Sequence, residues 1–243
     1  KSIKSSAGVK QAPSPLWTAI SGLLPIGDLP MQVMAAAFMP SPVASKPPAR
    51  SGMPPILTKP PEKGEATVAV TLGLVQDVET GNERKVEHID FLIDAMGQDN
   101  SKKSVHGLKA DVTFKPNVKG KVGYEVLTRI DLKPGRYSLR LSAYLPERNL
   151  SGSVYYDVEV PDFSKAALAM SGPMISVTPA LVAAPRDRLA DLMPIVPPRY
   201  RDFSQKTDQA SAFVAVYQPK GSVKDGGLKP LITDSNGAEA VPQ

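Results

Sequence analysis

Few side chains in this sequence could carry chemistry. The chain of 243 residues has no cysteine and two histidines, His88 and His106. The lack of cysteine excludes disulfides, zinc–thiolate sites and cysteine nucleophiles. The histidines are not spaced as ligands of one metal. His88 falls at a strand edge and His106 beside Gly107 in a predicted turn, so both are expected to be exposed and unpaired.

The acidic residues are the second group that could bind a metal. Asp90 and Asp94 fall on the outward face of one predicted strand, and Asp99 and Asn100 fall in the turn that follows. Oxygen ligands of this kind suit calcium, but the spacing around Gly97 does not match a calcium loop. The sequence therefore predicts no metal site and no cofactor.

Catalytic motifs are missing as well. The sequence contains no G-x-S-x-G elbow, no G-x-G-x-x-G or phosphate loop, and no H-E-x-x-H. We therefore expect no enzyme activity. A carbohydrate-binding accessory module remains an alternative, because Trp17, Tyr144 and Tyr155 could supply an aromatic platform.

The charge of the chain is modest and scattered. Twenty-nine Lys and Arg against 24 Asp and Glu give a net charge of +5, without a basic stripe. The pattern is not typical of a nucleic-acid-binding protein. No apolar run reaches the ~18 residues of a membrane-spanning helix. Because residue 1 is Lys1 and not an initiator methionine, we expect a processed or excised chain.

The elements that must position these residues are strands. Seven stretches between Met31 and Val160 alternate apolar and polar residues, which is typical of strands with one buried face. Seven such strands over this length predict an immunoglobulin-like or fibronectin type III-like β-sandwich. The apolar positions begin at Val33, Ala66, Ile89, Leu108, Val122, Tyr137 and Val154.

A corner and a joint bracket the last two of these strands. Leu132, Pro134, Gly135 and Tyr137 have the layout of a tyrosine corner, in which the tyrosine hydroxyl binds the backbone of the preceding turn. After the last strand, residues 161–163 (Pro161, Asp162 and Phe163) form a predicted joint to the next module.

The domain organisation follows from these boundaries. Residues 1–27 are predicted to be a tail and a short helix that begins after an N-cap at Ser14, with an apolar face that reaches Leu24. Residues 28–162 are predicted to form the sandwich, with a proline-rich insert at 40–61. Residues 163–243 are predicted to form a second β module that is short of strands.

The sequence also resembles a known family. The corner, a Gly-Ser strand start, the Val-Pro-Asp-Phe joint and a Leu-Ala-x-Ser-Gly strand come in the order found in bacterial von Willebrand factor A-related domain proteins. The resemblance spans residues 28–218 without the insert 40–61. It implies an exported protein and the β-sandwich region that follows the A domain. The metal-binding loop of the A domain is not in this sequence, so no metal site carries over.

Together these observations favour a non-catalytic role. We expect an extracytoplasmic structural or adhesion module (periplasmic, secreted or on the cell surface) that acts as a stalk or protein-interaction scaffold. Protein partners or self-association are expected, with no nucleic acid. An alternative is a subunit of a surface assembly or filament in which a neighbour donates a strand to the incomplete second module.

Overall fold

The structure is a computed structural model that describes residues 14–40, 62–99, 102–165, 167–176, 181–184, 189–193 and 210–218. These residues form one short α-helix, α1 (Pro15–Ile20), and twelve strands. The long strands are β1 (Met31–Phe38), β2 (Ala66–Glu79), β3 (Lys85–Gly97), β4 (Lys102–Phe114), β5 (Lys119–Leu132), β6 (Gly135–Leu145) and β7 (Leu150–Val160). The short ones are β8 (Ala169–Met170), β9 (Met174–Ser176), β10 (Leu181–Val182), β11 (Ser211–Phe213) and β12 (Val216–Tyr217). In this part of the chain no helix is long and apolar enough to cross a membrane.

The seven long strands and the short strand β10 build a β-sandwich of two four-stranded sheets. Sheet I has the strand order β1-β2-β5-β10, and sheet II has the order β4-β3-β6-β7. Pairing among β1 to β7 is antiparallel throughout. The all-β sandwich and the seven predicted strands between Met31 and Val160 are confirmed.

The core between the sheets is made by the alternate residues of each strand. On β6, Leu139, Leu141, Ala143 and Leu145 are fully buried. They pack in one cluster with the inward residues of the facing strands, such as Val70 on β2. Burying a Leu or Val side chain of this size contributes about 1.5–3 kcal/mol. The period-two pattern thus positions the whole sandwich.

The corner before β6 has the geometry of a tyrosine corner. The Tyr137 hydroxyl donates a hydrogen bond to the carbonyl oxygen of Lys133 at 2.8 Å. Gly135 has a φ of +155°, a conformation that residues with a side chain rarely adopt. Leu132 is buried and Pro134 is exposed. The corner therefore turns the chain from β5 into β6.

At the joint after β7, the chain folds back onto the sandwich. Phe163 is buried, and its ring meets the ring of Tyr217 edge to face at 5.1 Å. The Asp162 carboxylate accepts hydrogen bonds from the N–H and hydroxyl of Ser164. Hydrogen bonds from Lys165 and Ser164 lower the pKa of Asp162 to about 2. Pro161 precedes this turn and ends the exposed edge of β7.

The segments after the joint cover the outer face of sheet I. Strands β9 and β11 pair, as do β8 and β12. The ring of Phe213 stacks on Phe38 of β1, with the centroids 6.3 Å apart. Most of β1 is therefore buried on both faces, which explains why this strand is almost continuously apolar. The cluster on this face contains Met34, Ala36, Phe38, Ala69, Met174, Leu189, Leu192 and Met193.

Strand β10 lies in a stretch, 178–198, that the sequence pattern predicts as irregular. Leu181 and Val182 pair in parallel with β5, and Ala184 then forms an antiparallel bridge with Asp111 of β4. This segment therefore closes the seam between the sheets. The division at residue 162 stays a prediction, since the described segments beyond it lie on the sandwich. Residues 41–61 lie outside the described residues. So do residues 228–233, where the sequence pattern predicts a strand, and residues 236–237, an Asn-Gly pair that predicts a hairpin turn.

Candidate functional site

Helix α1 packs on the outer face of sheet II. Ser14 caps it as predicted, because its hydroxyl accepts the N–H of Trp17 at 3.4 Å. Ala19 and Ile20 are buried against the sheet. The helix ends at Ile20, earlier than predicted, and Leu23 and Leu24 are 92% and 79% exposed. The predicted apolar face of the helix is therefore wrong beyond Ile20.

Two side chains of sheet II hold the end of this helix. Arg140 donates to the carbonyl oxygens of Ile20 at 3.0 Å and Gly22 at 3.5 Å. The Tyr155 hydroxyl donates to the carbonyl of Gly22 at 2.9 Å. A cation at a helix C-terminus is stabilising because the last carbonyls carry partial negative charge. We name Arg140, Tyr155 and these two carbonyls the helix clamp.

The aromatic residues of the predicted platform make contacts within the protein. The guanidinium of Arg140 covers one face of the Tyr155 ring, 5.0 Å from its centroid. The Tyr144 hydroxyl donates to the amide oxygen of Asn149 at 3.1 Å. Trp17 is only partly exposed on α1. These aromatic groups are thus engaged within the protein, which disfavours a sugar-binding role for them.

A buried polar network crosses one end of the sandwich. The Glu87 carboxylate is 1% exposed and accepts hydrogen bonds from Gln76 and Arg148, both at 2.7 Å, with Lys85 2.8 Å away. The Tyr124 hydroxyl donates to the amide oxygen of Gln76 at 3.3 Å. The network therefore links sheet I, sheet II and the 3-10 helix Pro146–Arg148.

The electrostatics of this network fix its charge state. Burial alone would raise the pKa of the Glu87 carboxyl, but the hydrogen bonds from Lys85, Arg148 and Gln76 outweigh it and lower this pKa. Burial raises the pKa of Tyr124, so its hydroxyl stays protonated. A carboxylate held ionised by three donors is a poor general base, because it gives up these bonds when it takes a proton. The network is structural.

Both histidines depart from the sequence prediction. His88 is largely exposed but not unpaired, because its Nδ1 lies 2.6 Å from an Asp111 carboxylate oxygen. His106 is not in a turn, since it lies on β4, half-buried, with its Nε2 3.2 Å from the hydroxyl of Thr128. His106 lies two and four residues before the inward residues Leu108 and Ala110. This alternation could have predicted that His106 also faces inward on a strand.

The acidic residues also lie apart in the structure. Asp90 pairs with Lys109 at 3.5 Å, whereas Asp94 is 3% exposed and sits opposite Arg140 in the register of β3 and β6. Asn100 lies outside the described residues. Among those that are described, no three His, Asp or Glu side chains cluster as metal ligands.

A cleft of about 410 Å³ opens where β1 begins. Its walls include residues 25–27 and 29–32, the β2 residues Gly73 and Val75, and the β5 residues Gly123 and Glu125. The two glycines are neighbours of Glu125 on the outer face of sheet I, where their missing side chains leave the space. Ser153 also lines the cleft, and its hydroxyl accepts a hydrogen bond from the N–H of Ile26 at 2.8 Å.

No family model matches the sequence, and no curated protein sequence matches it either. The likeness to the von Willebrand factor A-related domain proteins therefore stays an expectation from the corner and joint motifs.

Proposed function

We propose that the protein is a non-catalytic extracytoplasmic structural or adhesion module that acts as a spacer for a binding partner. The observation that carries this proposal is the placement of the described segments on either side of the long strands. Helix α1 packs on the outer face of sheet II, and strands β9 and β11 cover the outer face of sheet I. Among the described residues, the sandwich therefore lies between the helix that precedes β1 and a strand pair that follows β7, as a spacer requires.

Helix α1 and the segment that contains Asp191 are each tied to the sandwich by an arginine. The helix clamp fixes α1 through Arg140. On the opposite side, Arg129 of β5 forms a bidentate pair with Asp191, with both N–O distances at 2.7 Å. This pair is largely buried, and bidentate arginine–carboxylate pairs are among the strongest charged contacts in proteins. Force applied to either end would reach the sandwich through these ties.

Single-molecule stretching of the chain, held by its two ends, tests the spacer function. We expect a cooperative unfolding event with a length gain of about 40 nm, since the chain from β1 to β7 extends by roughly 3.3–3.6 Å per residue. Arg129→Ala should release the outgoing segment at lower force. The matched control is Arg136→Ala, because its pair with Glu159 is two-thirds exposed. Smooth extension with no resolved event contradicts the proposal.

The predicted compartment needs a separate experiment. Fractionation of the source cells, with protease added to intact cells, should find the protein outside the cytoplasm. A pool found only in the cytoplasm contradicts the extracytoplasmic assignment without touching the spacer function.

A further inference from the structure

One edge of sheet II is the strand β7, and only its first part is paired. Leu29 donates its N–H to the carbonyl of Ser151 at 3.1 Å, and Ser153 donates its N–H to the carbonyl of Ile26 at 2.9 Å. The odd-numbered residues of β7 thus direct their backbone groups outward. From residue 155 to residue 159, no segment that the structure describes pairs with this edge.

The other edge of sheet II is β4, and it has an unpaired window of the same length. Asp111 exchanges two backbone hydrogen bonds with Ala184, at 2.7 and 2.8 Å. The odd-numbered residues of β4 therefore also point their backbone groups outward. From Lys109 back to Val105, the described part of the chain leaves this edge unpaired.

The directions of the strands make these two edges complementary. Neighbours in sheet II are antiparallel throughout, so β7 and β4 run in opposite directions. A second copy displaced sideways without rotation would present its β4 antiparallel to the first copy's β7. Ser153 and Asp111 are already bonded within their own copies, so the unpaired window that follows Ser153 lies opposite the unpaired window that precedes Asp111. This sets the register. Tyr155 lies opposite Lys109, and Glu159 opposite Val105, in hydrogen-bonded pairs.

Charge selects this pairing over the symmetrical ones. Within the two unpaired windows, β7 carries two carboxylates, Asp157 and Glu159, and no cation, whereas β4 carries Lys109 and no carboxylate. Two β7 edges or two β4 edges would bring like charges together, which is destabilising. In the proposed register Asp157 is diagonal to Lys109, whose side chain is 89% exposed. Gly107, opposite Asp157, adds no side chain that would obstruct the approach.

We propose that the chain self-associates head to tail, the β7 edge of one copy adding to the β4 edge of the next. Such an interface is heterologous, so it extends sheet II into open rows of copies. Backbone hydrogen bonds supply the affinity, and the exposed charges supply the polarity of the row. The inference rests on the proposed spacer function, because it names a second copy as the partner that the spacer contacts.

Sedimentation velocity of the whole chain, from micromolar to millimolar concentration, tests the proposal. Asp157→Pro removes an outward N–H from β7, and Lys109→Pro removes one from β4, so neither change breaks a bond to β6 or β3. We expect each variant alone to be monomeric, and the mixture to form a one-to-one heterodimer through the unblocked edges. Circular dichroism establishes that both variants fold.

Charge reversal keeps the test independent of proline. Asp157→Lys should weaken association roughly fivefold, as expected for an exposed ion pair, and mixing with Lys109→Glu should restore it. Lys121→Glu, at the exposed start of β5 in sheet I, is the matched control and should change nothing.

Three results would overturn the inference. These are a parent chain that stays monomeric at every concentration, proline variants that associate like the parent, and blocked variants that do not pair when mixed. The stretching experiment uses one isolated chain, so the spacer function stands or fails separately.

Discussion

Arg140 and Tyr155 act together at the end of α1. The guanidinium carbon of Arg140 lies 5.0 Å from the centroid of the Tyr155 ring, and both side chains donate to the carbonyl of Gly22. The ring holds the guanidinium in place while the hydrogen bonds satisfy carbonyls that have no partner within the helix.

Removing this arginine should release the helix. We expect Arg140→Ala to lower the free energy of unfolding by about 2 kcal/mol, the usual range for hydrogen bonds to a charged group. Trp17 is the single tryptophan and lies on α1, so its fluorescence should shift to the red. Urea unfolding gives the first quantity and emission spectra the second. Arg136→Ala should leave both nearly unchanged, and an unaltered Trp17 spectrum in Arg140→Ala would refute the clamp.

The two histidines should titrate on opposite sides of their ordinary pKa of 6.5. The hydrogen bond with Asp111 raises the pKa of His88, so the stability that His88 contributes is present below pH 6.5 and is lost as pH rises through its folded pKa. Burial lowers the pKa of His106, so its contribution is present above pH 6.5 and is lost as pH falls through its folded pKa. NMR titration measures both, with His88→Asn to assign the signals. The reverse order of the two pKa values would contradict the structure.

The buried carboxylate of Glu87 should make stability depend on acid. Because its folded pKa is lowered from 4.5, its contribution is present above that pH and is lost as pH falls through the folded pKa. Glu87→Gln should cost about 3 kcal/mol at pH 7, and this difference should shrink in acid. Urea unfolding at several pH values measures it. Glu79→Gln is the control, because Glu79 pairs with Lys119 on the surface; equal losses in the two variants would contradict the prediction.

Gly152 is the position where the chain before β1 crosses β7 most closely. A methyl group there would overlap the carbonyl oxygen of Leu29 and meet the sulfur of Met31 at 3.0 Å. We expect Gly152→Ala to cost about 2–3 kcal/mol or more through this overpacking. Gly81→Ala is the matched control, since nothing lies within 4 Å of the added carbon. Thermal unfolding compares the two, and a Gly152→Ala variant as stable as the parent would place the crossing elsewhere.

The tyrosine corner predicts a smaller loss. Tyr137→Phe keeps the buried ring and removes the hydroxyl that binds the Lys133 carbonyl, so we expect a loss of about 1 kcal/mol. Tyr144→Phe, which removes a hydroxyl bound to Asn149, serves as the comparison and should cost less. Chemical denaturation resolves the difference, and an unaffected Tyr137→Phe would mean that the corner is held by Leu132 and Gly135 alone.

The sequence predicted the strands because a strand repeats every two residues and one buried face makes that repeat visible. Tyr137 to Leu145 shows it without interruption. The same rule could have placed two residues that were missed. Glu87 shares the parity of the buried Ile89, and His106 shares that of Leu108. Both residues were missed because Glu87 and His106 are polar and because Gly107, beside His106, suggests a turn.

Contacts between residues that are distant in the sequence could not be predicted from the two-residue repeat. Nothing local in Leu23 and Leu24 shows that Arg140, more than a hundred residues later, takes the helix carbonyls and ends the helix before them. The pairing of Leu181 with Tyr124 likewise depends on the finished sandwich, because two residues are too short for a repeat. Such features follow from tertiary packing, which overrides local preference.

Strand β10, which closes the seam between the two sheets, has a consequence for the order of folding. Ala183 is buried in the sandwich core, and its N–H binds the carbonyl of Glu125, so residues made late complete a sheet begun much earlier. On the ribosome, β1 to β7 would emerge as a sandwich with one open side and remain so until the chain beyond Ala184 had left the exit tunnel. Contacts this distant in sequence slow folding. The open side of the sandwich would therefore stay exposed on the nascent chain until β10 had emerged and paired with β5.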